Sequence, residues 1–205
     1  HGRGGLSRAW LGSVADRLIR ARPSPVLLVR PDSDRPQQAK WPPARVLVPL
    51  DSTPLSEEVF PPLAELVGPG GTEFVLLRVV EPFPPLEPFP DVAIMVDRAA
   101  TQAALDAANA EHFKAAGDYL EGTAARLRQN GMRVRTHVAA HSSAARAVLE
   151  YANETGVDLI ALATHGRAAL ARAFMGSVAD KVMRGATVPV LIVPPPRTAA
   201  TAETD

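Results

Sequence analysis

Short, nearly continuous apolar runs mark out the chain from residue 45 onward. They are Arg45-Val46-Leu47-Val48-Pro49-Leu50, then 74–80 (FVLLRVV), 157–163 (VDLIALA) and 188–193 (VPVLIV). Runs of this length without alternation suit parallel strands covered on both faces. The run at 132–138 differs: Met132, Val134, Thr136 and Val138 alternate with Arg133, Arg135 and His137. A period of two predicts a strand with one wetter face, hence an edge of the sheet.

Helical spacing fills the gaps between these runs. Thr53 is placed to cap a first helix, with Pro54 at its first position and Leu55, Val59, Leu63 and Leu66 on one face. Pro61 and Pro62 fall inside it and should kink it or shift its boundaries. A second, Ala-rich helix ends at Asn130-Gly131, with Phe113, Leu120, Ala124 and Leu127 as its buried stripe. Ser143 is placed to cap a third, which turns Val148, Leu149 and Ala152 inward and stops at Gly156. Five prolines crowd 82–90 and predict a loop, whose Phe83, Leu86 and Phe89 are free to fold over something.

Strand and helix therefore alternate as β-α-β-α-β-α-β-α-β. This predicts an α/β fold with a doubly wound, five-stranded parallel sheet, Rossmann-like, in strand order 3-2-1-4-5. Ligands of such sheets bind beyond the carboxyl ends of the strands, where strand order reverses. That rule directs attention to Asp51 and to the stretch after Ala163.

The chain also contains a repeat. Residues 1–29 (HGRGGLSRAWLGSVADRLIRARPSPVLLV) lie without a gap over 165–193 (HGRAALARAFMGSVADKVMRGATVPVLIV), and about 16 of the 29 positions are identical. The matches include Gly12-Ser13-Val14-Ala15-Asp16 with Gly176-Ser177-Val178-Ala179-Asp180. Residues 1–30 read as the C-terminal remnant of a first copy, a helix at about 13–21 followed by a strand. Residues 31–44 are polar and Pro-rich, a linker; 45–196 form the complete domain, and 197–205 a disordered tail. The Gly2, Gly12 and Ser13 motif of the remnant lacks its own strands, so no nucleotide is expected there.

Composition narrows the function. Apolar residues make up 46% and charged residues 21%, as in an ordinary globular chain. Lys+Arg and Asp+Glu both total 22, so no basic excess points to nucleic acid or an anionic membrane. The absence of cysteine excludes disulfides and thiolate metal sites and fits a cytoplasmic setting. No apolar stretch approaches the ~18 residues of a membrane-spanning helix. The five histidines show no metal-ligand spacing, and neither a Walker A sequence nor a Gly-x-Ser-x-Gly elbow occurs. No catalytic residue is assigned, and an enzyme faster than a slow ATPase is not expected.

The stretch Ala163-Thr164-His165-Gly166, nine residues, then Gly176-Ser177, carries the most chemistry. A small-residue turn after a strand lets backbone N–H groups approach a phosphate. Gly176-Ser177 then opens a helix whose unpaired N–H groups favour an anion. Ser177-Val178-Ala179-Asp180 equally reads as a capping box, and spacing alone leaves both readings open. Asp51 can accept hydrogen bonds from a ligand or satisfy N–H groups where the first helix starts.

Taken together, Ala163-Thr164-His165-Gly166-Arg167, then Gly176-Ser177-Val178-Ala179-Asp180, then Pro189-Val190-Leu191-Ile192-Val193 resemble the universal stress protein signature. Val48-Pro49-Leu50-Asp51-Ser52, Leu76-Leu77-Arg78-Val79-Val80-Glu81-Pro82 and Gly156-Val157-Asp158-Leu159-Ile160 match further markers of that family. The resemblance covers 45–196 in full and 1–30 as a fragment.

It implies a stress-response or regulatory module that binds ATP, with or without Mg²⁺, and acts through ligand-linked assembly. ATP-binding members use Gly-x-x-Gly, nine residues, then Gly-(Ser/Thr), which falls here on Ala163, Gly166, Gly176 and Ser177. The resemblance implies triphosphate contacts at Gly166, Gly176, Ser177 and Val178. It sets Pro49, Asp51, Val79 and Leu162 around adenine and ribose. Arg167 would reach phosphate oxygens or stay solvated, and His165 would bond the ligand or its own loop. Ala163 replaces the pattern's first glycine, which supports the alternative of an interaction module that binds no nucleotide. Ala140-His141-Ser142-Ser143 departs from the family's pattern, so nothing is carried over there. Family pairing through the last strand implies a homodimer or an intrachain pseudo-dimer, with Pro25–Val29 beside Pro189–Val193.

Overall fold

The computed structural model describes residues 24–29, 41–68, 70–85, 97–164 and 176–194. The helix expected at about 13–21, the linker up to residue 40, Leu86, Phe89, His165, Gly166, Arg167 and the tail lie outside them. The described elements are β1 (Val26–Leu28), β2 (Arg45–Pro49), α1 (Pro54–Glu57), α2 (Phe60–Val67), β3 (Glu73–Val80) and α3 (Arg98–Gln129). They continue with β4 (Arg133–Ala140), α4 (Ala144–Thr155), β5 (Leu159–Ala163), α5 (Ser177–Gly185) and β6 (Val190–Val193).

The strands form one six-stranded sheet in the order β1-β6-β5-β2-β3-β4. From β4 to β6 every neighbouring pair is parallel, which reproduces the expected doubly wound order. A sixth strand joins these five, the one expected from Pro25–Val29 beside Pro189–Val193. β1 adds to the outer edge of β6 and runs antiparallel to it, Val26 opposite Ile192 and Leu28 opposite Val190. Val26 and Leu28 pack against the core, whereas Leu27 points to the other face and is exposed.

The apolar runs lie where coverage on both faces is needed. Val46, Leu47 and Val48 are fully buried in β2, and all of β6 is buried. One core face joins Leu47, Leu77 and Ile160 to Val148 of α4 and Val182 of α5. The other joins Val48, Leu76 and Ala161 to Leu63 of α2 and Leu120 of α3. β4 closes the far edge, with Arg133 and Arg135 exposed and Val134 buried, as its alternation requires. At the amino ends of these strands the Glu73 carboxylate holds Arg45 at 3.1 Å and Arg135 at 2.7 Å.

The first helical segment is two helices rather than one kinked helix. Thr53 caps α1 by accepting from Ser56 N–H at 3.3 Å, and Pro54 opens it. The chain restarts at Phe60, so Pro61 and Pro62 fall in the first turn of α2, where no backbone donor is needed. In α3 the buried stripe starts at Ala116 rather than Phe113, which is half-buried. The 32-residue helix is about 48 Å long at its standard rise, against about 26 Å for eight-residue β3, so its first half runs past the sheet.

Ser143 stands at the N-cap of α4, yet its hydroxyl caps no N–H. The backbone N–H of Ser143 instead donates to His141 Nδ1 at 2.7 Å. Gly156 ends α4 in the left-handed region at φ 66°, a conformation that a side chain would strain. Val148 and Ala152 are buried inward, while Leu149 is half-buried under Gly185 of α5.

Candidate functional site

Strand order reverses at β2. β3 and β4 follow on one side, and the chain then crosses to β5 and β6 on the other. The carboxyl ends of β2, β3 and β5 consequently surround one crevice, the place where doubly wound sheets take ligands.

At the end of β2, Leu50 N–H makes a last sheet bond to Leu77 C=O at 2.9 Å, and the chain then turns away. Asp51 Oδ1 accepts from Thr53 N–H at 3.0 Å and from the Thr53 hydroxyl at 2.5 Å. Asp51 N–H in turn reaches Ser56 Oγ at 3.4 Å. One carboxylate oxygen of Asp51 is thus committed to organising the start of α1, the structural role open to it from the sequence. Ser52 beside it adopts φ 69°, a left-handed backbone that non-glycine residues rarely take. Pro49 is half-buried at the last position of β2.

Across the crevice, Leu162 is buried and Ala163 half-buried at the end of β5. The backbone continues to buried Thr164, whose N–H donates to Val193 C=O at 2.9 Å. The chain returns at Gly176, whose N–H donates to Thr164 C=O at 2.7 Å. A Cβ at position 176 would lie 2.8 Å from that same oxygen, so only glycine permits the closure without a backbone shift. Gly176 is also the N-cap of α5.

This geometry decides against the capping box. Ser177 is the first helical residue rather than the cap, and among the described residues no side chain caps the helix start. Asp180 turns the other way and grips Arg184 with both oxygens at 2.9 Å. Ser177 and Val178 are exposed at a helix start whose first N–H groups point outward.

At the end of β3, on the side toward β4 and α3, lies a cleft of about 570 Å³. Ser52, Arg78, Val79, Glu81, His112 and His141 line it. His112 stacks at 5.0 Å on Phe83, whose backbone is held by Asn109: its N–H donates to Oδ1 at 2.7 Å, and its C=O accepts from Nδ2 at 3.2 Å. Tyr119 forms the deeper wall and donates its hydroxyl to Glu57 Oε1 at 2.9 Å. Burial, and then that bond to a carboxylate, push the Tyr119 phenol up to about 12. Among the described residues no cluster of three or more His, Asp or Glu side chains is suited to hold a metal ion.

The structure thus brings Pro49, Asp51, Val79, Leu162, Ala163, Gly176, Ser177 and Val178 to the carboxyl side of the sheet. His165, Gly166 and Arg167 are outside the described residues. Sequence reasoning singled out neither Arg78 nor His112. The one signal available was an arginine inside the otherwise apolar run FVLLRVV.

Comparison with known proteins gives this arrangement a context. The model of the universal stress protein family matches residues 1–30 and 43–194. Universal stress protein MJ0531 of Methanocaldococcus jannaschii is 40% identical over 53 residues, a match that spans 26% of this chain and 31% of that protein. Among solved structures, hypothetical protein MJ0577 superimposes with a TM-score of 0.60 at 20% identity, over 76% of this chain and 97% of the other. A universal stress protein from Archaeoglobus fulgidus gives 0.57 at 19% identity, over 91% of this chain and 55% of the other. At such identities the structural matches establish the fold alone. The family match spans most of the chain and includes both copies of the repeat, and on that ground the chain belongs to the universal stress protein family.

Proposed function

We propose that the chain is an adenine-nucleotide-binding stress-response module that takes ATP, with or without Mg²⁺, in the crevice between β2 and β5. The observation that carries this reading is the start of α5. Its N-cap is a glycine held against the end of β5, no side chain among the described residues caps its first N–H groups, and its one early carboxylate is paired with Arg184. Such a helix start favours an anion of several charges. Gly176, Ser177 and Val178 would hold the phosphates, while Pro49, Asp51, Val79 and Leu162 would flank the ribose and base, with Ala163, His165, Gly166 and Arg167 completing the loop. Bound ATP would supply charge and shape to be sensed; no residue is assigned to its hydrolysis. The expected setting is the cytoplasm, and no described helix is long and apolar enough to cross a membrane.

Assembly is the output that this reading favours. β1 against β6 supports a pseudo-dimer within one chain, with a homodimer as the variant in which a second copy supplies the strand. A second reading, an interaction module with no nucleotide, is favoured by Ala163 at the position of the pattern's first glycine.

Calorimetric titration with ATP, with and without Mg²⁺, separates the two. The discriminating variant is Ser177→Asp. Gly176 is unsuitable for substitution because any side chain there displaces Thr164. An aspartate at the first helical position suits the helix dipole while repelling phosphate. The affinity for ATP should fall by about tenfold or more with no loss of thermal stability, the cost of a like charge at close range. A parent chain that takes up no ATP leaves the interaction module as the function.

A further inference from the structure

The β2–β3 ladder ends where Leu50 N–H meets Leu77 C=O, and Pro49 opposite Leu77 is its last register pair. Two residues further along β3, Val79 C=O points to the same side of its strand. Val80 C=O points the other way and is satisfied by His141 N–H at 3.0 Å. Because β2 has already turned off at Asp51, Val79 C=O has no strand residue opposite it on the crevice side. Its partner is a side chain: Arg78 Nη1 donates to it at 2.9 Å.

Arg78 reaches this carbonyl from the α3 face. It shares that face with buried Leu76 and Val80, and its guanidinium comes over the end of the strand to do so. It also lines the cleft of about 570 Å³, so a long side chain has room into which to withdraw.

We propose that Arg78 is a stand-in for a donor on the ligand, and that it sets how the site reads the edge of a purine base. The inference rests on the adenine-nucleotide reading. A base seated over Val79 would bring an exocyclic amino group toward the Val79 carbonyl, an acceptor that a purine without that group cannot use. With Arg78 on the carbonyl, the amino group gains nothing unless the guanidinium leaves, and exchanging one hydrogen bond for another yields little net affinity. Arg78 thus makes the protein tolerant of the substituent at that edge. Removing the guanidinium makes it selective for the amino group.

The test is a ligand-by-variant cycle. The affinities of ATP and of purine riboside 5′-triphosphate, which lacks the amino group, are measured by calorimetry on the parent and on Arg78→Met. Methionine keeps the apolar stem and removes every donor. The ratio of the two affinities should lie near one in the parent. It should rise by about three- to tenfold in favour of ATP in the variant, the range of one net hydrogen bond. Loss of the positive charge weakens both triphosphates alike and cancels in the ratio. An unchanged ratio in Arg78→Met overturns the proposal, as does a parent that already prefers ATP by more than about threefold, and this second result needs no variant to fold. Failure of both nucleotides to bind either protein has a different meaning: it overturns the nucleotide reading itself, and this inference with it.

Discussion

Tyr119 is the side chain whose protonation the fold changes most legibly. The neutral phenol is favoured in the folded protein, first by burial and then by donation to Glu57, and its pKa rises from the usual 10 to about 12. The resulting stabilisation is complete below pH 10 and is lost as pH climbs toward 12. Of the two tyrosines in the chain, Tyr119 is therefore expected to titrate late. Ultraviolet difference spectra should show an ionisation near pH 12 that disappears in Tyr119→Phe; an unaltered titration curve in that variant refutes the assignment. At this scale the sequence was an uneven guide. Asp51 and Gly176 stood out because their neighbours in sequence define their surroundings. Arg78 did not, because its partner is set by where β2 stops, and His141 was marked only as a departure from the family's pattern, because its role depends on which ring nitrogen faces Ser143 N–H.

The helices show where packing overrides local pattern. Leu120 is fully buried between α3 and the sheet, in contact with the core that contains Leu63 and Leu76. Leu120→Ala should cost about 2–5 kcal/mol in denaturant unfolding, the usual penalty for a cavity of that size. Leu105→Ala, in the half of α3 that overshoots the sheet, should cost less than about 1 kcal/mol. Equal losses would mean that the first half of α3 is held as firmly as the second. Alternation of strand and helix was readable throughout, as was the edge character of β4, because both follow from burial period alone. The division of α1 from α2 was less so: Pro61 and Pro62 announce a disturbance, but a kink and a restart satisfy them equally. The buried length of α3 was illegible for another reason. An Ala-rich segment has nearly the same periodicity whether it lies on a sheet or beyond one.

At the scale of the molecule, the sheet ends on a strand drawn from the other copy of the repeat. β6 is apolar along its whole length, and an uncovered edge of that kind invites pairing with another chain. Replacing both Val26 and Leu28 by lysine should release β1, since both pack on the core that β6 completes. The released chain should self-associate as concentration rises, as read by sedimentation velocity. If it stays monomeric throughout, β1 has no role in limiting assembly. The overall architecture was largely visible from residues 45–193, because strand order follows from the doubly wound pattern. The antiparallel sense of β1 and the residues it opposes required coordinates.

The backbone bond between Gly176 and Thr164 has a consequence for variation in this chain. It works as a clasp: the main chain departs at one residue, and its return is fastened to that residue's carbonyl, whatever lies between. Lengthening a closed segment costs only about 0.6 kcal/mol for each doubling. A longer connection between Thr164 and Gly176 would therefore add little to the cost of holding the sheet and α5 in alignment. Gly176 is the position at which a side chain would break that alignment, because its Cβ would lie 2.8 Å from the Thr164 carbonyl oxygen.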